Sequence, residues 1–124
     1  MNLRQVAQRA TDLDRAVTFY SKLLNRPATA VFGPLAFFAV GPTRLLLDLN
    51  APSALIYLGV DHVPDTVEQL RAQGIKIVQE PHVIFNDDSG TFDTPGNEWL
   101  AFIEDSEGNM VGLMSREVVA EIGQ

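Results

Sequence analysis

Apolar positions change their spacing several times along the chain, and each change marks a predicted element. From Leu3 to Ala10 polar and apolar residues mix, with Leu3, Gln5, Ala7 and Arg9 on one face of a predicted strand. Thr11-Asp12-Leu13-Asp14 then reads as a helix start, with Thr11 placed to cap it and acids in the first turn. Leu13, Val17, Tyr20 and Leu24 recur at helical spacing, and Asn25-Arg26-Pro27 ends the helix. Three short strands are predicted next, over Ala28–Phe32, Leu35–Val40 and Thr43–Leu49. Gly33-Pro34, Gly41-Pro42 and Asn50-Ala51-Pro52 punctuate them.

The same succession recurs about 49 residues on, with Asp61 in the place of Asp12. Ala54–Val60 predicts a strand. Val63, Val67 and Leu70 then form a helical stripe that Pro64 opens and Gly74 stops. Ile75–Gln79, Glu98–Glu104 and Met110–Ser115 are the later strands, the last two joined by the turn residues Ser106-Glu107-Gly108-Asn109. Residues 86–97 form a long polar insert that predicts a surface loop or a mobile lid.

Composition narrows the class. A chain of 124 residues with 46% hydrophobic and 20% charged residues is expected to collapse into one domain. No apolar run reaches the roughly 18 residues a bilayer requires, and Met1–Gln5 has no signal-peptide character. Cysteine is absent, which removes disulfides, thiolate metal sites and thiol nucleophiles, and fits a cytoplasmic location. A net charge of −7 argues against nucleic acid as a partner. That charge is lopsided: residues 1–50 carry six bases against three acids, and the remainder three against thirteen. Opposite halves of this kind can attract across a homodimer, although ordinary solubilising surface reads the same way.

Asp12-Leu13-Asp14-Arg15-Ala16-Val17-Thr18-Phe19-Tyr20 resembles the first-helix signature of the vicinal-oxygen-chelate superfamily. Trp99 to Asn109 resembles its closing hairpin, with Ser106 where proline is usual. The family includes glyoxalase I, extradiol dioxygenases, bleomycin- and fosfomycin-resistance proteins and methylmalonyl-CoA epimerase. The resemblance implies an α+β fold of two βαβββ modules, at about 3–50 and 54–116, whose curved mixed sheet forms a cup. In metal-using members the ligands lie on the first and last strands of each module. Those positions carry over to Gln5, Asp48, Leu55 and Gly112. Leu and Gly offer no donor to a divalent ion, so no metal and no cofactor is expected.

The expected contacts to a small organic ligand, anionic or aromatic, are Gln5, Arg9, Asp48, Tyr57, His82 and Trp99. The resemblance implies a carboxylate contact for Arg9, whose plainer reading is a salt bridge to Asp48. His82 borders the insert and could act as acid, base or ligand. Tyr57 and Trp99 combine apolar bulk with a polar tip, which suits a cup wall or an ordinary core. Arg44 reads as a strand-end surface charge and His62 as a solvated loop residue. No nucleophile motif and no phosphate-binding glycine loop is present. The leading expectation is a small-molecule-binding protein of the glyoxalase/bleomycin-resistance type without the usual metal. The alternatives are a metal-dependent lyase, isomerase or dioxygenase with atypical ligands, and a dimeric interaction module.

Overall fold

In the computed structural model, residues 1–87, 91 and 95–118 are described. The chain forms two compact units, Leu3–Tyr57 and Leu58–Gln124, the latter including Met1–Asn2. The secondary structure is α+β, and the predicted duplication is visible in the order of elements.

In the first unit β1 (Asn2–Arg9) leads into α1 (Leu13–Leu24), followed by β2 (Ala30–Phe32), β3 (Leu35–Val40) and β4 (Thr43–Asp48). β4 lies parallel to β1 and antiparallel to β3, which pairs with β2. Asp12, rather than Thr11, caps α1: its Oδ1 accepts from the Arg15 N–H at 3.0 Å. Asn25 ends the helix in the left-handed region at φ 54°. Leu13, Val17, Tyr20 and Leu24 pack against Ala10, Ala36, Phe38 and Leu47, so the predicted stripe is the buried one. Strand alternation then turns Phe37, Arg44, Leu46 and Asp48 to the sheet face opposite α1.

In the second unit α2 (Val63–Ala72) follows β5 (Leu55–Gly59), and β6 (Ile77–Asp87), β7 (Gly96–Glu104) and β8 (Met110–Val118) form an antiparallel meander. Val63 and Val67 of α2 bury against Ala101 and Leu113. His62, not Asp61, is the cap residue: its Nδ1 accepts from the Asp65 N–H at 3.3 Å, and its Nε2 lies 2.9 Å from Glu117. β6 runs eight residues past the predicted end at Gln79. The extension crosses Pro81, which has no N–H to give, by shifting register between Gln79 and His82 and again before Phe85. It also draws the ends of the expected insert into the ladder, pairing Asn86 with Asn97 and Asp87 with Gly96. Residues 88–90 and 92–94 of that insert lie outside the described residues. Among the described residues no helix is long and apolar enough to cross a membrane.

Candidate functional site

Gln5 is the polar residue that the first unit buries most deeply. It lies mid-strand in β1 on the face away from α1, only 3% exposed. A buried carboxamide must find partners, and the sequence supplies them from two strands. In the parallel register Gln5 stands level with Arg44 on β4, whose Nε–H donates to Gln5 Oε1 at 3.1 Å. The Tyr57 hydroxyl also hydrogen-bonds the Gln5 side chain. The Arg44 guanidinium lies 5.6 Å from the Phe37 ring centre, and Phe37 meets Phe32 edge-on at 6.1 Å.

Tyr57 is buried at the end of this unit. Burial first, and then the negative charge of Asp48, push its pKa above the usual tyrosine value. Arg44 and Gln5 pull it part of the way back. At neutral pH the hydroxyl is therefore protonated and serves as a neutral donor or acceptor. Asp48 is half-buried and level with Arg9, four residues along β4 from Arg44. Its Oδ1 also accepts from the Asn50 N–H at 2.8 Å and so shapes the turn out of β4.

The first unit thus gathers Gln5, Asp48 and Tyr57 with Arg44, which the sequence reading had placed at the surface. Register hides this role in the sequence: nothing in the residue order announces that Arg44 stands beside Gln5. Arg9 is exposed, and its N–H donates to Ser53 Oγ at 3.2 Å.

His82 and Trp99 belong to the other unit. His82 is half-buried opposite Leu100, with Nδ1 2.9 Å from the Glu80 carbonyl oxygen. Trp99 lies on the α2 side of its sheet, packed with Val63, Val67, Ala101 and Leu113, and its buried Nε1–H has no hydrogen-bond partner. That position makes it a core residue of its unit.

On the opposite face of the same sheet lies a charged cluster that the sequence reading missed. Arg116 on β8 donates through Nη1 to Glu98 Oε2 and through Nη2 to Asp87 Oδ2, each at 2.5 Å. Side-chain exposures of 7% for Arg116, 3% for Glu98 and 0% for Asp87 make this a buried triad. The Thr91 N–H donates to the other Asp87 oxygen at 2.7 Å. Glu98 and Arg116 are direct cross-strand partners, whereas Asp87 and Arg116 belong to extensions of β6 and β8 beyond the predicted strands.

The donor set does not suit the divalent metal of the resembled family. At the first-strand position stands a neutral amide whose oxygen is already engaged by a guanidinium, and a fixed cation there opposes a second one. Leu55 and Gly112 bring no donor. Among the described residues, no group of three or more His, Asp or Glu side chains is placed to hold a metal ion.

Comparison with known proteins agrees with this architecture. The family model for the Glyoxalase/Bleomycin resistance protein/Dioxygenase superfamily matches residues 2–113. A hypothetical protein of Bacillus halodurans C-125 is similar at a TM-score of 0.72 and 16% identity, covering 97% of each chain. A methylmalonyl-CoA epimerase variant of Streptomyces coelicolor, in complex with 2-nitronate-propionyl-CoA, is similar at a TM-score of 0.69 and 13% identity over 98% of each chain. A Mn(II)-bound glyoxalase of Novosphingobium aromaticivorans is similar at a TM-score of 0.68 and 18% identity. That likeness covers 99% of this chain and 42% of the glyoxalase. A search of curated proteins finds no match.

Proposed function

The chain belongs to the Glyoxalase/Bleomycin resistance protein/Dioxygenase superfamily, and we propose that it binds a small organic molecule through the Gln5–Arg44–Tyr57 face without a divalent metal. One observation carries the reading: the buried Gln5 amide is held on two sides, by Arg44 Nε and by the Tyr57 hydroxyl. A polar set fixed in this way has met its orientational cost before a ligand arrives. The rings of Phe32 and Phe37 give the same face an apolar wall. That pairing of few polar groups with aromatic surface is the usual composition of a small-molecule site.

The test is a titration of the full chain with benzoate and with phenol, followed by NMR at the Gln5 side-chain amide. Native mass spectrometry of the freshly purified protein accompanies it. Binding of at least one probe with movement of the Gln5 signal, weakened about tenfold by Gln5→Leu, is the expected result. A divalent metal retained at one per chain would instead move the metal-dependent enzyme reading to first place.

A further inference from the structure

The helices of the two units hold the same place in the repeat, yet their outward faces carry opposite charge. In α1 the inward stripe of Leu13, Val17, Tyr20 and Leu24 turns Arg15, Phe19, Lys22 and Leu23 outward. Phe19 and Leu23, one turn apart, are both more than half exposed, and Arg15 and Lys22 flank them. The Phe19 ring stands edge-on to Tyr20 at 5.2 Å, which holds it against the helix. Single exposed apolar residues are ordinary, but an adjacent pair set between cations is a patch suited to a partner.

In α2 Val63 and Val67 point inward, and the outward residues are Asp65, Glu68, Gln69 and Ala72. The Asp65 and Glu68 side chains are 79% and 70% exposed. Their local partners, His62 at 3.1 Å and Arg71 at 3.4 Å, leave both carboxylates facing solvent. The short side chain of Ala72, one turn beyond Glu68, leaves room for larger groups to lie against the helix. The flanks match in sign as well: α1 carries Asp14 beside its basic stripe, and α2 carries Arg71 beside its acidic one.

We propose that the α1 face of one copy docks on the α2 face of a second copy, and that a two-fold pair makes this contact twice. Phe19 and Leu23 lie over Gln69 and Ala72, with Arg15 and Lys22 against Asp65 and Glu68. A contact between unlike patches closes into a dimer only about a two-fold axis, and otherwise runs on as a filament. The apolar pair gives most of the affinity, while the exposed charges, individually weak, select the partner face. The whole chain has the same complementarity, with six bases against three acids in residues 1–50 and three against thirteen in the remainder. The contact lies on the helix side of the first unit, away from Gln5, and does not depend on a ligand there.

Sedimentation of the full chain measures the dimer, and native mass spectrometry of isotope-labelled mixtures identifies its members. The natural protein should dimerise at tens of micromolar. Phe19→Ser with Leu23→Ser should weaken dimerisation at least tenfold, while circular dichroism stays unchanged because both side chains are exposed. Lys22→Glu and Glu68→Lys should each weaken it about tenfold, since each homodimer then sets like charges together at both contacts. Mixed one to one, these two variants should recover the natural affinity as a heterodimer, in which one contact keeps the natural pair and the other carries it reversed. Three outcomes would overturn the inference: a monomer at tens of micromolar, a dimer unmoved by the serine pair, or a mixture that dimerises no better than either charge variant alone. A monomer that floats with phosphatidylglycerol vesicles would assign the α1 face to an anionic membrane instead.

Discussion

Removing the guanidinium of Arg116 should damage this protein more than its place near the end of the described chain suggests. The side chain is 7% exposed and sits between two carboxylates that are 3% and 0% exposed. Arg116→Met fills similar space but leaves Glu98 and Asp87 buried without their shared counter-charge. Breaking a buried pair from one side costs about 3–5 kcal/mol, because the stranded charge cannot return to water. For a domain of this length that is a fall in Tm of roughly 10–20 °C. Urea unfolding at pH 7.5, followed by far-UV circular dichroism and by the fluorescence of Trp99, the sole tryptophan, measures the loss. Adding Asp87→Asn and Glu98→Gln to Arg116→Met removes both stranded charges and should restore most of the stability. A loss under about 1 kcal/mol, or one that the added amides leave unchanged, would refute the view of Arg116 as a buried counter-charge.

Tyr57→Phe should remove a source of alkaline instability: with the folded pKa raised, the native chain loses stability as pH rises through about 10, and the variant should lose less of it in a high-pH melt. Asp105 accepts the N–H groups of Glu107 and Asn109 together with the Asn109 side chain, and these bonds hold its pKa below the usual value. Its contribution should persist above about pH 4 and fade as pH drops through the lower folded value; a melt of Asp105→Asn that matched the native chain at pH 7 would contradict this. Adding Ni, Zn or Mn, or a chelator, should leave Tm in place, whereas a site bound at one hundred times Kd would add about 2.7 kcal/mol. We also propose a homodimer, since α1 leaves Phe19 and Leu23 58% and 63% exposed in a unit richer in bases than acids; sedimentation showing a monomer at tens of micromolar would refute it.

Local signals carried much of the fold. The α1 stripe from Leu13 to Leu24 and the exact bounds of Leu35–Val40 follow from periodicity and from glycine-proline punctuation. The errors fell where pairing overrides composition. Gln79-Glu80-Pro81-His82 reads as the end of a strand, yet β6 continues because β7 offers partners and register shifts absorb the proline. His62 looks like a loop residue because imidazole is not the usual cap, but its ring fills that place. The candidate site was legible as residue types and illegible as neighbours. Gln5 and Asp48 could be named from the resemblance and Tyr57 from its apolar bulk and polar tip, but only the β1–β4 register sets Arg44 beside Gln5 and Arg9 beside Asp48. Trp99 went the other way: its parity in β7 places it with Ala101 and Ser115, on the side that packs against α2.

The two units solve one problem with the same device. In each, the sheet face away from the helix holds a polar residue too deeply set to be served by water, Gln5 in one and Glu98 in the other. In each, an arginine on the unit's closing strand stands directly across from it, Arg44 on β4 and Arg116 on β8. The partners differ in charge, and so should the consequences of removal. Gln5 is neutral, and without Arg44 it would lose one hydrogen bond, a cost of about 1–3 kcal/mol if water cannot replace it. Glu98 is charged and shares Arg116 with a second carboxylate, so its unit depends on the arginine for electrostatic balance as well as for a hydrogen bond. Removal of the arginine in the first unit should therefore cost the fold less than removal of the one in the second.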